Sequence, residues 1–152
     1  MHKRITALAA LVTLLALPAA AQDSASAMAA VTKFVDSFNK GDEKAVIASC
    51  AERTAIVDEF MPHLWDGEGG CAKWVKAFDA DAAKNGITDA VVTLHDPWHV
   101  DVSANVAYVV APVDYDFKQK GQPVKETNSV LTIVLRKEKA GWRITAWTWA
   151  KH

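Results

Sequence analysis

"VLTIVLRKEKAGWRITAWTWA", Val130 to Ala150, decides the fold. Two runs rich in β-branched and aromatic residues flank the turn "EKAG", Glu138 to Gly141. That pattern is an antiparallel hairpin. In the second run, strict pleating puts Trp142, Ile144, Ala146 and Thr148 on one face. Arg143, Thr145, Trp147 and Trp149 fall on the other, where two tryptophans offer a wide aromatic surface, either a pocket lining or plain core or dimer interface, and Arg143 is either a contact for an anionic ligand or the strand's exposed start. The first run, "VLTIVL", is apolar on both faces. A sheet that packs helices on one side only should alternate, so cover on both sides is expected. No helical pattern follows residue 86 to provide it. The second cover is either another copy, giving a homodimer through the sheet, or the sheet itself, strongly curled.

Upstream of the hairpin the pattern stays stranded back to residue 87. "ITDAVVTLH" and "WHVDVS" are strand-like and are interrupted by Asp96-Pro97. "NVAYVVAPVDYDF" is a long strand with Pro112 inside it, which marks a bulge or an edge. "KQKGQP" is a turn.

The first part of the chain is helical. Val31, Phe34, Val35 and Phe38 fall at i, i+3, i+4 and i+7 on one helix face. Ser24 or Ser26 can cap this helix, and Gly41 ends it. Asp42 caps a short second helix carrying Val46, Ile47 and Cys50. "RTAIVDEF", Arg53 to Phe60, is a strand ending in an acid, and Met61 to Gly70 is loop. A third helix runs from about Cys71 to Lys84, with Trp74, Val75 and Phe78 on one face and Asn85-Gly86 closing it. Helices first and antiparallel strands after them define an α+β fold.

The N-terminus reads as a leader. "MHKR" is a basic n-region, "ITALAALVTLLAL" an apolar h-region, and Ala19 and Ala21 the small residues of a cleavage site. Residues 1–21 are expected to be a cleaved signal peptide. The apolar run is short for a membrane span, and no later stretch is longer, so no membrane association is expected after cleavage. Residues 22–152 then form one periplasmic or secreted domain of 131 residues, enough for a core without staples. Losing Lys3 and Arg4 takes the net charge from −1 to −3. No basic patch interleaves with aromatics, so nucleic acid is not an expected partner. Cys50 and Cys71 are either a disulfide, permitted by an oxidising compartment, or two separate buried thiols.

Four stretches taken in order resemble the nuclear transport factor 2-like superfamily: "VTKFVDSFNKGDEKAV", "AERTAIVDEF", "WDGEGGCAKW" and "VLTIVLRKEKAGWRITAW". This is the group that includes ketosteroid isomerase and SnoaL-type cyclases. The resemblance implies three N-terminal helices packed on a curved, mostly antiparallel sheet, forming a cone with a cavity. It says little about function, because this fold hosts enzymes, binding modules and dimerisation domains. Phe34 to Asp58 aligns without a gap with bacterial ketosteroid isomerase. Asp58 falls on the general base of that enzyme. Phe34 falls on its tyrosine oxyanion donor, and Ser129 to Leu135 holds no acid to match its second donor. Losing one such donor costs about 3–4 kcal/mol in the transition state, so steroid isomerisation by that route is not expected.

Several side chains then bear on chemistry. Asp58 is the first candidate: against an apolar wall its pKa would rise toward neutrality. The plainer reading is a carboxylate that only fixes the following loop. His63, five residues on, is a candidate acid–base partner or an exposed loop residue. Tyr115 lies on the opposite strand face from Asp114 and Asp116 and is a candidate catalytic donor if its face lines the cavity; the plainer reading is an exposed strand end leading into the turn. Phe34, Phe38, Phe60, Trp65, His95, Trp147 and Trp149 are candidate ligand-binding residues. His95 and His99 have helical metal-ligand spacing, but Pro97 opposes a helix, and in a strand they stand about 13 Å apart. Neither a metal site nor a cofactor is expected. There is no nucleophile elbow, phosphate loop or CxxC. The expected partner is a small hydrophobic or aromatic molecule. Two functions remain open: cofactor-free proton transfer (isomerase, dehydratase or cyclase) with Asp58 as base, or a non-catalytic dimerisation or interaction module.

Overall fold

The computed structural model describes residues 19–151; the predicted leader up to residue 18 lies outside them. The elements run α1 (Ala19–Asn39), α2 (Glu43–Ser49), β1 (Cys50–Val57), β2 (Leu64–Trp65), α3 (Gly70–Asn85), β3 (Ile87–Leu94), β4 (His99–Ser103), β5 (Val106–Gln119), β6 (Gln122–Glu138) and β7 (Gly141–Ala150). The strands form a seven-stranded sheet in the order β2-β1-β7-β6-β5-β3, with β4 also on β5. All neighbours are antiparallel except β1 and β7. Three helices lie against one face of this open, curved sheet, and among the described residues no helix is long and apolar enough to cross a membrane.

The helices form where the apolar periodicity puts them. Ala27, Val31, Phe34 and Val35 bury one face of α1. Asp42 caps α2 by accepting from the Ala45 amide at 3.0 Å. Gly86, left-handed, closes α3 with its N–H on the Ala82 carbonyl. Three expectations are corrected. Helix α1 does not begin at Ser24 or Ser26 but runs from Ala19, and the Ser26 hydroxyl instead accepts from the Trp142 indole at 2.9 Å. Cys50 opens β1 rather than closing α2, and Ile47 faces outward. The expected loop Met61–Gly70 contains β2, two residues paired with Ile56 and Val57.

Bulges set which side chains face the helices. Strand β5 is central, not an edge. Pro112 sits where one side of its ladder passes from β4, whose pairing ends at Val110 of β5, to β3, whose pairing begins at Val113. A missing N–H is tolerated at that gap. In β6 the register slips between the pairs Val113–Ser129 and Tyr115–Glu126. Two residues, Thr127 and Asn128, oppose Asp114 alone, and Asn128 is left-handed. The Asp114 carboxylate holds this bulge by accepting from the Asn128 amide at 3.2 Å. A second slip lies in β7: Leu135 pairs with Ile144 but Val134 with Ala146, so Thr145 is the extra residue.

That second bulge overturns the strict alternation expected for β7. Trp142, Ile144, Trp147 and Trp149 share the helix-facing side, and Trp142, Ile144 and Trp147 are buried there. Arg143 is on the far side from Trp147. In β6, Leu131, Ile133 and Leu135 are buried under the helices, while Val130, Thr132 and Val134 are half-buried on the outer face.

Cys50 and Cys71 are disulfide-bonded, so the first strand is tied to the first turn of α3. Closing 21 residues stabilises by about 3 kcal/mol in the chain-entropy account.

Candidate functional site

Between α1, α3 and the inner sheet face lies a pocket of about 100 Å3. Its walls are aromatic. Phe34 and Phe38 come from α1, Trp74 and Phe78 from α3, Tyr115 from β5, and Trp147 and Trp149 from β7, with Phe60 from the turn after β1. Phe38, Trp74 and Phe78 pack mutually, with centroids 5.2–6.1 Å apart. Trp147 meets Trp74 edge-on at 4.9 Å.

Asp58 stands at the end of β1 against this wall. Its two oxygens have different partners. Oδ1 accepts from the Glu59 amide at 2.7 Å, and Oδ2 accepts from the Trp74 indole at 2.8 Å. Burial raises its pKa; the two hydrogen bonds oppose the rise, and Glu126 adds to it. Glu59, also on the pocket wall, is raised by burial and by Glu126. Burial and the surrounding acids Glu126, Asp58, Glu59 and Asp81 push the Tyr115 phenol up as well. Lys151 bridges Glu59 and Glu126 at the rim, and its bond to Glu126 raises its own pKa.

The structure thus brings together Asp58, Tyr115, Phe34, Phe38, Phe60, Trp147 and Trp149. Three expected site residues lie elsewhere. The His63 ring does not reach the Asp58 carboxylate; its Nδ1 lies 3.0 Å from the Asp58 backbone carbonyl, in a turn where His63 itself is left-handed. Trp65 packs on the outside of Phe60 at 4.8 Å and is not on the pocket wall. His95 is exposed and bonds Asp114 at 3.1 Å, which holds the Asp114 carboxyl below its usual range. It supports the β6 bulge from outside. His99 is separate again, edge-on to Tyr108 with ring centroids 5.9 Å apart.

Sequence reasoning missed Trp74, Phe78, Glu59, Asp81 and Glu126. Trp74 and Phe78 were legible as one helix face, but their partner was not. Glu126 faces inward only because of the β6 bulge: it pairs directly with the inward-facing Tyr115, a place Thr127 would take in a regular ladder.

The Trp74–Asp58 bond has a testable consequence. Trp74→Phe removes a donor that favours the charged carboxyl, so the Asp58 pKa should rise further. A carboxyl-detected NMR titration reads this directly, and an unchanged or lower pKa would show that the indole does not hold the ionised form. The linkage has the matching sign. With its folded pKa above 3.8, Asp58 contributes stability below that value, and the contribution is lost as pH rises through the folded pKa.

The fold recurs in solved structures of low identity. A ketosteroid isomerase-like protein from Erwinia carotovora atroseptica SCRI1043 is 20% identical, with a TM-score of 0.68 over 86% of this chain and 96% of that one. A nuclear transport factor 2-like superfamily protein from Salmonella enterica serovar Typhimurium LT2 is 14% identical, with a TM-score of 0.73 over 86% and 92%. An NTF2-like protein with a cystatin-like fold from Novosphingobium aromaticivorans is 15% identical, with a TM-score of 0.69 over 86% and 82%. No curated protein matches the chain. The SnoaL-like domain matches residues 27–148, which span all three helices' packed faces and the sheet. With the order of elements and that match in agreement, the chain belongs to the SnoaL-like domain family, and its fold is the one seen in nuclear transport factor 2-like structures.

Proposed function

We propose that the protein is exported, binds one small molecule in the aromatic pocket, and uses Asp58 to exchange a proton with it without a cofactor. The observation that carries this reading is the Asp58 carboxyl, half-buried against the pocket wall with a raised pKa and oriented by Trp74. Such a group is poised to act as base or acid nearer neutrality than an exposed aspartate. The pocket sets the size of the ligand. An apolar cavity of about 150 Å3 accommodates benzene, so a pocket of about 100 Å3 suits one ring or a group of similar bulk and leaves no room for a steroid's four rings. Phe34 stands where the related isomerases have a donor, in keeping with a different substrate.

Two copies associate through the outer sheet face in this proposal. Val57, Leu64 and Tyr108 are 45%, 54% and 42% exposed there, beside half-buried Val130 and Val134. A second copy would cover this apolar surface.

Native mass spectrometry of the protein recovered from the exported fraction tests the proposal in one measurement. The expected species is a dimer of chains beginning at Gln22, carrying an adduct of single-ring size that Trp149→Ala weakens. A chain retaining Met1 overturns export, and a monomer overturns the sheet interface. Ligand-free protein that also takes up no single-ring compound overturns the binding role and leaves the non-catalytic interaction module.

A further inference from the structure

Eight aromatic side chains line the pocket, and every charged side chain on its wall is acidic: Asp58, Glu59 and Asp81. The nearby cation, Lys151, is already held between Glu59 and Glu126. Aromatic faces carry negative charge density and attract cations, more strongly when water is excluded. The acids add to the same field: Glu126 acts on Asp58, Glu59 and Tyr115 together. An anionic ligand, or an anion formed during reaction, would be disfavoured by these acids and ring faces.

Polar atoms at this end lack partners. Glu126 Oε2, the Tyr115 hydroxyl and the Trp147 and Trp149 indole nitrogens are buried and unbonded. Tyr115, Trp147 and Trp149 all line the pocket. Buried polar groups are rarely left unpaired, so a bound molecule, ion or water is expected to partner these. The indoles require an acceptor, and the carboxylate requires positive charge or a donor.

We propose that the ligand is a compact alkylammonium ion that also carries a hydroxyl or carbonyl oxygen. Its methyl-covered cation packs on the ring faces among the acids, and its oxygen accepts from an indole N–H or the Tyr115 hydroxyl. This rests on the pocket reading above and names the class of its ligand. It also fits the missing oxyanion donors. When an alkylammonium ion that bears an N–H gives that proton to the Asp58 carboxylate, the carboxyl becomes neutral and so does the ligand, and no negative charge needs a donor.

Calorimetric titration with three probes tests it: choline, its uncharged isostere 3,3-dimethylbutan-1-ol, and toluene. Choline is expected to bind at least tenfold tighter than the isostere at neutral pH. Glu59→Gln, which removes the charge and keeps the side chain's shape, should shrink that ratio several-fold with little effect on the isostere. Equal or tighter binding of the isostere overturns the charge selection while the pocket reading stands. Toluene binding without choline has the same meaning. Failure of all three overturns the pocket reading and this inference together.

Discussion

Gly70→Ala is expected to destabilise the protein by about 3 kcal/mol or more, at the upper end of what overpacking costs. A Cβ at this position would lie 2.2 Å from the Thr54 carbonyl oxygen and 3.2 Å from its carbon. Both atoms are backbone, in the middle of β1, so no rotamer change relieves the clash. Helix α3 must move away from the strand, and with it go the Trp74 donor to Asp58 and the seat of the Cys50–Cys71 bond. For a domain of this size the melting temperature should fall by about 10 °C. Gly69→Ala is the informative control. Gly69 is left-handed but its Cβ meets nothing within 4 Å, so only backbone strain of about 1 kcal/mol applies. If the two variants melt together, close approach of α3 to β1 is not what Gly70 provides.

Trp147→Ala should cost about 3–5 kcal/mol, the range for truncating a large buried aromatic. Trp147 is 3% exposed, pairs with Ile133 and Ile56 across the sheet, and touches rings from two helices, Phe34 and Trp74. Its loss enlarges the pocket and unseats both helices at once. Trp149→Ala, at a half-buried position two residues on, should cost clearly less while still weakening ligand retention. Chemical denaturation resolves the pair. A Trp147→Ala cost under about 1.5 kcal/mol would mean that the pocket collapses to fill the space.

The α+β order was legible because apolar periodicity reports burial directly. Val31, Phe34 and Val35 at helical spacing, and Leu131, Ile133 and Leu135 at strand spacing, point where the pattern says they should. The face of β7 was not legible, because one extra residue at Thr145 inverts everything after it and leaves no mark in composition. Glu126 was hidden in the same way by Asn128. Neither position carries glycine, the usual signal. Asp58 and the wall residues Phe34, Phe38 and Phe60 were found because they lie outside the bulges, and Trp147 and Trp149 because the two move together. His63 misled because sequence proximity to Asp58 says nothing about which atom a ring reaches; its left-handed turn directs it to a carbonyl instead. Strand β2 is two residues long, too short to show any alternation.

The hydrogen bond between Trp74 and Asp58 makes the protein its own optical sensor. An indole's excited state responds to a charge beside its ring nitrogen, and here that charge comes and goes with one proton. Three of the chain's six tryptophans line the pocket. Emission from the unlabelled protein therefore records both the titration of Asp58 and the arrival of anything that sits among those rings.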